Sequence, residues 1–562
     1  MSTLRVPLTQ LIQSRKASTS KDSRSVNCYF ESRDQNTKDN VKRPGLLNVP
    51  VTPAMTAGQA QGIYKCDSGD LFVAINNKFY IIDPSFTSTT AGTLTGPLQN
   101  VYFAESANDA YLFAHNGTNG YVAIGNGSFT QIPAGMIYNV LVTVGGINYF
   151  APICTFDAPP AGGTLATGVV NVLGGVVQSI TITNYGSGYV TTPACTITDT
   201  AGGSGAGALT SVVLNGFPAG TSALAAGAVY IDGYTVVATK TGVIYSSDPN
   251  YPMLWNPLNT VAVESDPDLL VGIVRHFNYI VAFGVWSTEY FYDAANATGS
   301  PFLRQDAYKS EIGCADGNSV VQYEQGVIFV GQSKSNGKTV YILSGNMTPV
   351  AVSDPYIEKY LNADTNTKIQ SFVFKVSGHT IYIMTLPNLN LTFAYDLTQS
   401  IWTQWTSYVD GSEQQYMAWT ATQFGQYSYA LDDTLGLLYK IDVDTYTDNG
   451  SPIYWRVVTN NIDGGTRFRK YWKSGEVVGD KVAGTMYLTH CDNDYVTFST
   501  ARTVQLDSTR SIIWQLGQSR YRAFQFLNTD NIPLRLSYYE VQVTTGEQAS
   551  DAEMQAAAQG AS

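Results

Sequence analysis

Charged side chains are scarce in this chain. Asp, Glu, Lys and Arg together make up 14% of its 562 residues, whereas about 25% is usual for soluble domains. The centres of subunit interfaces are depleted in charge and enriched in aromatic residues, and the chain contains 37 Tyr and 8 Trp. We therefore expect an oligomer whose copies cover much of each other's surface. The length predicts two or more domains.

Closely spaced cysteines, long apolar runs and an export signal are also missing. The six cysteines are far apart and form no CxxC pair, which predicts reduced, buried thiols in a protein assembled in a cytoplasm. The N-terminus has no apolar h-region, and no run of about 18 apolar residues occurs. We expect a protein that is not exported by a signal peptide and does not span a membrane.

Groups suited to catalysis or metal binding are few. Nucleophilic catalysis needs a Ser or Cys beside a His base, and none of the four histidines lies in a recognisable setting such as GxSxG. His490 is next to Cys491, but no second ligand pair follows at zinc spacing. We predict no catalytic residue, no metal ligand, no cofactor and no enzymatic activity. The histidines are His115, His276, His379 and His490.

Two acidic segments resemble functional sites at first sight. Residues 442–450 contain three aspartates and a glycine, but the glycine is at the wrong offset for a calcium loop and no Glu closes it. We expect a solvated turn there. The acids of residues 264–268 could form the carboxylate pair of a glycosidase, but the SxDxGxxW box of sialidase propellers is absent from the chain. Ordinary turn chemistry explains these acids.

The two signs of charge are unevenly distributed. The formal net charge is −12, which argues against a protein that clamps nucleic acid, because such binding needs a positive footprint. Residues 1–46, however, hold nine Lys or Arg against four acids. This arm could be a solvated, mobile terminus, or it could dock onto an acidic neighbour. The residues that we predict to dock are Arg5, Arg15, Lys16, Arg24, Lys42 and Arg43.

Alternation of apolar and polar residues predicts half-buried β-strands through most of the chain. Between residues 59 and 450 the strands come as six or seven similar hairpin units. Because radial repetition of small antiparallel sheets is typical of a β-propeller, we predict an all-β propeller of six blades; stacked sandwiches are the alternative. The clearest helix signal covers 354–361, and residues 548–558 predict a weak helix or a disordered tail.

Residues 157–228 break this pattern. They carry only two charges, at Asp157 and Asp199, and are rich in Gly, Ala, Thr and Val. The alternation at 175–184 predicts a strand, so we interpret the segment as a small inserted β domain. It is either an interaction module at one end of the assembly or a structural spacer.

A second all-β region, a sandwich-like platform, follows the propeller. Its basic and aromatic residues at 467–473 could bind single-stranded nucleic acid, but we interpret them as charges that protect a sheet edge or meet an acidic partner. The predicted domains are 1–58 (an N-terminal arm and strand that pack with the platform), 59–156 (first blades), 157–228 (inserted domain), 229–450 (remaining blades), 451–545 (platform) and 546–562 (tail).

Several short motifs occur in the order known from one family. They are VNCYFE (26–31), KRPGL (42–46), IYSSD (244–248), STEYFYD (287–293), PFLR (301–304), EIGCA (311–315), SRYRAFQF (519–526) and IPLRL (532–536). This series resembles the packaged-DNA stabilisation proteins, or tail nozzle and hub proteins, of podovirus-type phages. The residues that carry the resemblance are Asn27, Tyr29, Glu31, Arg43, Pro44, Gly45, Asp248, Trp255, Glu289, Pro301, Phe302, Gly313, Cys314, Arg522, Pro533 and Glu540.

The resemblance implies a structural protein of the virion tail, assembled in the host cytoplasm. It implies a six-fold ring of β-propellers that docks below the portal and adaptor, seals the packaged DNA and forms the conduit for ejection. The implied partners are copies of the chain, portal and adaptor proteins, fibres or spikes, passing double-stranded DNA, and the host envelope at the tip. The acidic body predicts a channel that repels DNA and lets it slide. A receptor-binding adhesin and a polysaccharide depolymerase are the alternatives.

Overall fold

The structure, a computed structural model, describes residues 2–13, 22–33, 37–107, 110–200, 202–220, 224–264, 266–296, 298–364 and 368–546. Strands make up 54% and helices 3% of the protein, so the predicted all-β class is confirmed. Contacts divide the chain into two units: Met1–Pro50 with Ala351–Ser562 form the first, and Val51–Val350 form the second. Within the described ranges, no helix is both long and apolar enough to cross a membrane.

Five short strands open the first unit, and each becomes part of a sheet that is completed much later in the sequence. They are β1 (Ser2–Pro7), β2 (Arg24–Val26), β3 (Cys28–Ser32), β4 (Lys38–Lys42) and β5 (Gly45–Val49).

The second unit begins with two antiparallel meanders of four strands each. Sheet 1 consists of β6 (Ala60–Lys65), β7 (Leu71–Ile75), β8 (Lys78–Ile82) and β9 (Ser88–Thr93), and sheet 2 consists of β10 (Tyr102–Glu105), β11 (Tyr111–His115), β12 (Gly120–Ile124) and β13 (Thr130–Gln131). Every residue of β7 is buried, which explains why this strand is apolar throughout instead of alternating.

Three two-stranded ribbons follow in place of another meander. Their strands are β14 (Ile137–Ile147), β15 (Pro152–Phe156), β16 (Thr167–Leu173), β17 (Val176–Asn184), β18 (Cys195–Asp199) and β19 (Ala206–Leu214). β14 pairs with β19, β15 with β18 and β16 with β17, and their inner faces share a core that includes Val140, Phe156 and Ile180. We call residues 137–214 the ribbon module. Its first strand precedes the change in composition at residue 157.

Three further meanders complete the second unit. Sheet 3 consists of β20 (Val229–Ile231), β21 (Tyr234–Thr239), β22 (Val243–Ser246) and β23 (Thr260–Ala262); sheet 4 of β24 (Leu270–His276), β25 (Tyr279–Gly284), β26 (Thr288–Asp293) and β27 (Phe302–Arg304); and sheet 5 of β28 (Gly313–Cys314), β29 (Val321–Tyr323), β30 (Gly326–Gln332), β31 (Thr339–Leu343) and β32 (Pro349–Ala351).

Successive sheets of the second unit pack face to face. Sheets 1 and 2 share a core that contains Phe79, and sheets 2 and 3 share one that contains Trp255. Sheets 3 and 4 enclose Phe291, and sheets 4 and 5 enclose Phe329. Such serial packing of four-stranded meanders is typical of the blades of a propeller.

The first unit resumes with one helix and two more meanders. They comprise α1 (Pro355–Ala363), sheet 6 with β33 (Gln370–Val376), β34 (His379–Leu386), β35 (Leu391–Asp396), β36 (Ile401–Val409) and β37 (Ser412–Gln415), and sheet 7 with β38 (Ala418–Phe424), β39 (Tyr427–Asp432), β40 (Leu438–Asp442), β41 (Thr447–Asp448) and β42 (Ser451–Pro452). The helix confirms the signal at 354–361. β5 from the start of the chain completes sheet 7, with Leu46 opposite Ile441.

The described residues thus contain seven meander sheets. The sequence indicated six or seven hairpin units, and the blade number of six that we predicted is one lower than this sheet count. The seventh sheet takes its fourth strand from β5, some 390 residues away in sequence by the register of Leu46 opposite Ile441, so its completeness has no local sequence signal.

The platform contributes strands to two sheets. They are β43 (Trp455–Val458), β44 (Lys470–Gly479), β45 (Thr485–Cys491), β46 (Arg502–Gln505), β47 (Ser511–Ser519), β48 (Ala523–Asn528) and β49 (Arg535–Thr545). One sheet has the order β3-β4-β49-β44-β47, with β1 also on β49. The other continues sheet 6 through β2 into β43, β48, β45 and β46. Trp455, Trp472 and Phe526 fill the core that the two sheets share.

The basic and aromatic segment 467–473 enters the middle of a sheet. Its strand β44 lies between β49 and β47, so the interpretation as edge protection is wrong. Lys470 is buried, and its Nζ donates hydrogen bonds to the carbonyls of Thr466 (2.6 Å), Phe468 (3.0 Å) and Arg520 (2.9 Å).

His115 gives the fold a pH dependence of known sign. It is fully buried at the end of β11; its Nδ1 accepts from the N–H of Gly117, and its Nε2 therefore donates to the carbonyl of Gly227 at 2.8 Å. Burial lowers its pKa from 6.5 to about 4. We expect this residue to contribute stability above pH 6.5 and to cost up to about 3 kcal/mol as the pH falls to about 4.

The measurement is denaturant unfolding across this pH range for the wild type and His115→Gln. Glutamine keeps an N–H donor for Gly227 but does not titrate, so its stability should fall less steeply between pH 6.5 and 4. Equal slopes for the two proteins would contradict the assignment.

Candidate functional site

The predicted docking residues of the basic arm have very different surroundings. Arg5 is exposed and pairs with Glu540 at 3.2 Å. Arg24, Lys42 and Arg43 are buried, so they are interior residues of this chain and cannot meet a neighbour in this conformation. Arg15 and Lys16 lie outside the described residues.

Arg43 uses its complete set of donors inside the protein. Its Nη1 donates to Oδ1 of Asp448 (2.8 Å) and its Nη2 donates to Oδ2 (2.5 Å), which makes a bidentate ion pair. The remaining N–H groups donate to Asn27 Oδ1 (2.9 Å) and to the carbonyls of Pro44 (3.0 Å) and Thr406 (2.8 Å). A guanidinium has five N–H donors, and all five are therefore satisfied.

The groups around Arg43 keep its guanidinium charged although it is buried. Burial acts to lower the pKa of Arg43, but the charge and hydrogen bonds of Asp448 outweigh it and the pKa is raised overall. The guanidinium carbon also lies 4.7 Å from the centre of the Tyr416 ring and 5.5 Å from that of Trp405, which adds a cation–π attraction. Neither charge of the pair is exposed, so the group is a structural clamp with no face open to a substrate.

Asn27, in the first of the short motifs, has a special backbone conformation and connects three segments of the chain. Its φ of 57° places it in the left-handed region between β2 and β3, which asparagine tolerates better than most residues. Its Nδ2 donates to Thr406 Oγ1 (2.9 Å) and to the carbonyl of Tyr454 (3.0 Å), and its Oδ1 accepts from the N–H of Thr406 (2.8 Å). One side chain thereby connects the arm to β36 and to the start of the platform.

Pro44 and Gly45 allow the chain to pass this crowded point. A Cβ on Gly45 would lie 2.3 Å from the carbonyl oxygen of Thr447 and 2.6 Å from that of Thr445. Only glycine fits there. The "RPG" motif therefore supplies a buried cation, an acceptor carbonyl and a close backbone approach in three consecutive residues.

Asp448 was missed as a functional residue. The sequence predicted a solvated turn at 442–450, but Asp448 is 1% exposed, and it also accepts a hydrogen bond of 2.6 Å from Ser407 Oγ. The solvated-turn interpretation is therefore wrong for this residue. Arg43 and Asp448 are far apart in sequence, so no local pattern connects them. Only the conspicuous "RPG" motif could have suggested that Arg43 needs a buried acidic partner.

Lys42 and Arg24 are held by different means. The Nζ of Lys42 donates to Asn528 Oδ1 (3.1 Å) and the carbonyl of Asp530 (2.7 Å). Burial and the neighbouring charge of Arg43 lower the pKa of Lys42 to about 7. Burial and the charge of Arg456 lower that of Arg24 to about 10.

The other motif residues near the start and end of the chain also make internal contacts. The ring of Tyr29 meets that of His379 edge to face, with centroids 5.0 Å apart. Glu31 forms an ion pair with Arg535, close to Pro533. Arg522 is buried beneath Trp472 and binds both oxygens of Asp492 at 2.7 Å.

In the second unit the motif residues fix the turns between sheets. The indole of Trp255 is buried and donates to the carbonyl of Pro252 (2.8 Å), and the carboxylate of Asp248 accepts from the Tyr138 hydroxyl (2.9 Å). A Cβ on Gly313 would lie 2.4 Å from the backbone of Val285 and Trp286. The remaining members, Glu289, Pro301, Phe302 and Cys314, are buried as well.

The histidines take structural roles. His276 contacts the carbonyl of Ser344 at 3.1 Å, His379 contacts Asp396 at 2.7 Å, and His490 contacts Ser499 Oγ at 3.1 Å. Within the described ranges, no three His, Cys, Asp or Glu side chains cluster in a way that could hold a metal ion.

Comparison with known families identifies this architecture. Residues 221–446 match the profile of a family described as "Phage_stabilise: Bacteriophage P22 Gp10, beta-propeller". Over these residues, which are less than half of the chain, the protein is similar to the phage stabilisation family. The resemblance read from the motifs is confirmed, as is the β-propeller fold. A member of this family is a structural protein of the phage virion.

Other comparisons add little. No curated protein matches the chain. Among solved structures, BBS1N in complex with ARL6DN is 11% identical, with 71% of this chain and 97% of that chain covered and a TM-score of 0.34. BamB from Moraxella catarrhalis is 10% identical, with 78% and 96% covered and a TM-score of 0.33. At such scores the likeness carries no argument about function.

Removing one partner of the clamp should destabilise the protein strongly. Asp448→Asn keeps the shape but leaves a buried guanidinium without its counter-charge, so we expect a loss of about 3–5 kcal/mol in unfolding free energy. The control is Arg5→Gln, which removes an exposed pair and should cost less than about 1 kcal/mol. Urea denaturation followed by tryptophan fluorescence measures both. Similar losses for the two variants would contradict the clamp.

Proposed function

We propose that the chain is the tail nozzle or hub subunit of a short-tailed phage. In this proposal a ring of six copies docks below the portal and adaptor, seals the packaged DNA and forms the conduit for its ejection. The observation that carries the proposal is the match of residues 221–446 to the propeller of a phage stabilisation family. The matched family is described as a phage stabilisation family. The proposed position in the tail follows from the resemblance of the short motifs to tail nozzle proteins.

The use of charge inside the molecule supports a scaffold. Among the described residues, the most deeply buried ion pair joins Arg43 to Asp448, with every N–H donor of the guanidinium satisfied. Other motif residues, such as Arg522 and Trp255, are also hydrogen-bonded inside the chain. Catalytic sites usually place titratable or nucleophilic side chains in a pocket, where they are available to a substrate. Rigid β-sheets locked by buried polar contacts suit a part that must resist the pressure of packaged DNA.

The ribbon module offers a surface for contacts between proteins. Of the 29 large hydrophobic side chains that are exposed in the described residues, ten lie between positions 141 and 209. The two charges of the module are hydrogen-bonded to its own backbone: Asp199 accepts from the N–H groups of Phe150, Ala151 and Gly205, and Asp157 from that of Ala194. A large exposed apolar surface commonly marks an interaction site.

We propose that this surface meets copies of the chain in the ring. The whole chain carries a formal net charge of −12, so copies repel one another over most of their surface. The module carries only two charges, Asp157 and Asp199, so it opposes such contact less than the rest of the chain does. It also lacks exposed basic residues, which binding to an anionic membrane surface would favour.

The acidic body fits the passage of DNA. A negative lumen would repel the duplex and keep it from binding, so that it slides during ejection. In this proposal the exposed Arg5 belongs to the part of the arm that meets the adaptor above.

The experiment that tests the proposal is electron microscopy of virions and of the purified protein with its adaptor. We expect six copies in a ring on the tail and no release of reducing sugar from host polysaccharide. A chain that is absent from virions, or one that is monomeric on the adaptor and cleaves glycan, would overturn it.

The contribution of the ribbon module can be tested in the full chain. Val169 and Leu173 are 54% and 74% exposed on β16, so Val169→Lys with Leu173→Lys should leave the fold intact and place like charges on every copy. We expect assembly of the ring on the adaptor to fall at least tenfold, as measured by mass photometry. The matched control is Leu258→Lys, at a 73% exposed position outside the module. Equal assembly of both variants would contradict the proposed contact.

A further inference from the structure

One hairpin turn in the second unit presents a large aromatic side chain in a strained backbone. In the two-residue turns that begin at Asn76, Asp232, Ser377 and Asp410, the first residue has a φ of 47–49°. Small polar residues suit that left-handed conformation. In the turn between β24 and β25 the same place is taken by Phe277, with a φ of 52°.

Phe277 gains little burial in return for this strain. Its ring is 54% exposed, and it lies against the imidazole of His276, with the ring centroids 4.4 Å apart. A bulky residue in the left-handed region is unusual, and such strain is often found at functional sites. Phe86, Met347 and Tyr495 have a similar φ, but they are buried or half-buried, whereas Phe277 is exposed. The position therefore suggests a role for the ring outside the core.

The ring borders a cavity of about 570 Å³ between the loops of sheets 3 and 4, a size within the usual range for ligand sites. Tyr279 and Tyr292, which are cross-strand partners on β25 and β26, form its aromatic wall with Phe277. The ring of Tyr308 packs against that of Tyr279 edge to face, with the ring centroids 5.8 Å apart and the planes at 90°.

Planar polar side chains surround the aromatic wall. Asp232, Asn278 and Gln305 line the cavity, and their side chains make no hydrogen bond within the part of the chain that the structure describes. Arg275 is fixed across the opening, because its Nε donates to the carbonyl of Phe277 (3.0 Å) and its Nη1 to that of Tyr230 (3.1 Å). The site is thus preformed, with hydrogen-bonding groups still available.

We propose that this cavity binds a neutral saccharide unit of a surface glycan. A sugar ring presents C–H groups on its face, which pack on aromatic rings, and hydroxyls on its edge, which pair with planar amide, carboxylate and guanidinium groups. The lining holds two aspartates, Asp232 and Asp293, against Arg275, so it repels sialic and uronic acids. The inference does not rest on the ring or on the tail position.

The test uses the full-length protein and saturation-transfer difference NMR. The probes are the methyl glycosides of glucose, galactose, mannose and N-acetylglucosamine, with sialic acid as the anionic comparison. We expect saturable binding of at least one neutral probe and none of sialic acid. Failure of all four neutral probes would overturn the proposal and would leave the proposed function untouched.

The key variant is Phe277→Asn, which gives the turn a residue suited to its φ. If Phe277 serves a ligand, this variant should raise the melting temperature and weaken sugar binding at least tenfold. Trp514→Ala, which removes an aromatic ring that is 60% exposed on the platform, should leave binding unchanged. A Phe277→Asn protein that binds as the wild type does, or that loses thermal stability because the ring is a packing residue, would overturn the proposal.

Discussion

The fold of the first unit depends on one buried charge. Arg43 has no access to water, so each of its five N–H groups needs an acceptor within the protein. Those acceptors come from the arm itself, from β36 and from β41, and Asn27 extends the network to the platform at Tyr454. Segments that are hundreds of residues apart in sequence can therefore reach their native places only together.

The same logic explains the position of β5. It supplies the fourth strand of sheet 7 directly after the clamp, with Gly45 passing between the carbonyls of Thr445 and Thr447. A sheet completed by a distant strand costs loop-closure entropy, and the long-range contact between Arg43 and Asp448 lies directly beside this strand and helps to offset that cost. In the second unit successive sheets share apolar cores, and His115 adds a buried hydrogen bond from sheet 2 to the carbonyl of Gly227, before sheet 3.

The alternation of apolar and polar residues, together with the residues typical of turns, made much of the fold predictable from the sequence. The hairpins, the helix at 354–361 and the low-charge insertion follow from local rules that need only a few consecutive residues. What failed was long-range: Asp448 looked solvated, the strand after 467–469 looked like an edge, and Lys42 and Arg43 looked like surface charges. In each case burial was decided by a partner far along the chain, which no local pattern records.

These failures share a physical cause that bears on function. The chain has few charges, and several of them are buried inside the fold: Arg43 pairs with Asp448, and Lys470 donates to three carbonyls. Each internal use removes a charge from the surface that remains for partners. A protein built in this way has an acidic exterior and uncharged patches, so contacts that do not depend on charge pairing become its natural means of association. The proposed conduit, which would hold its neighbours firmly and the passing DNA loosely, would use that division.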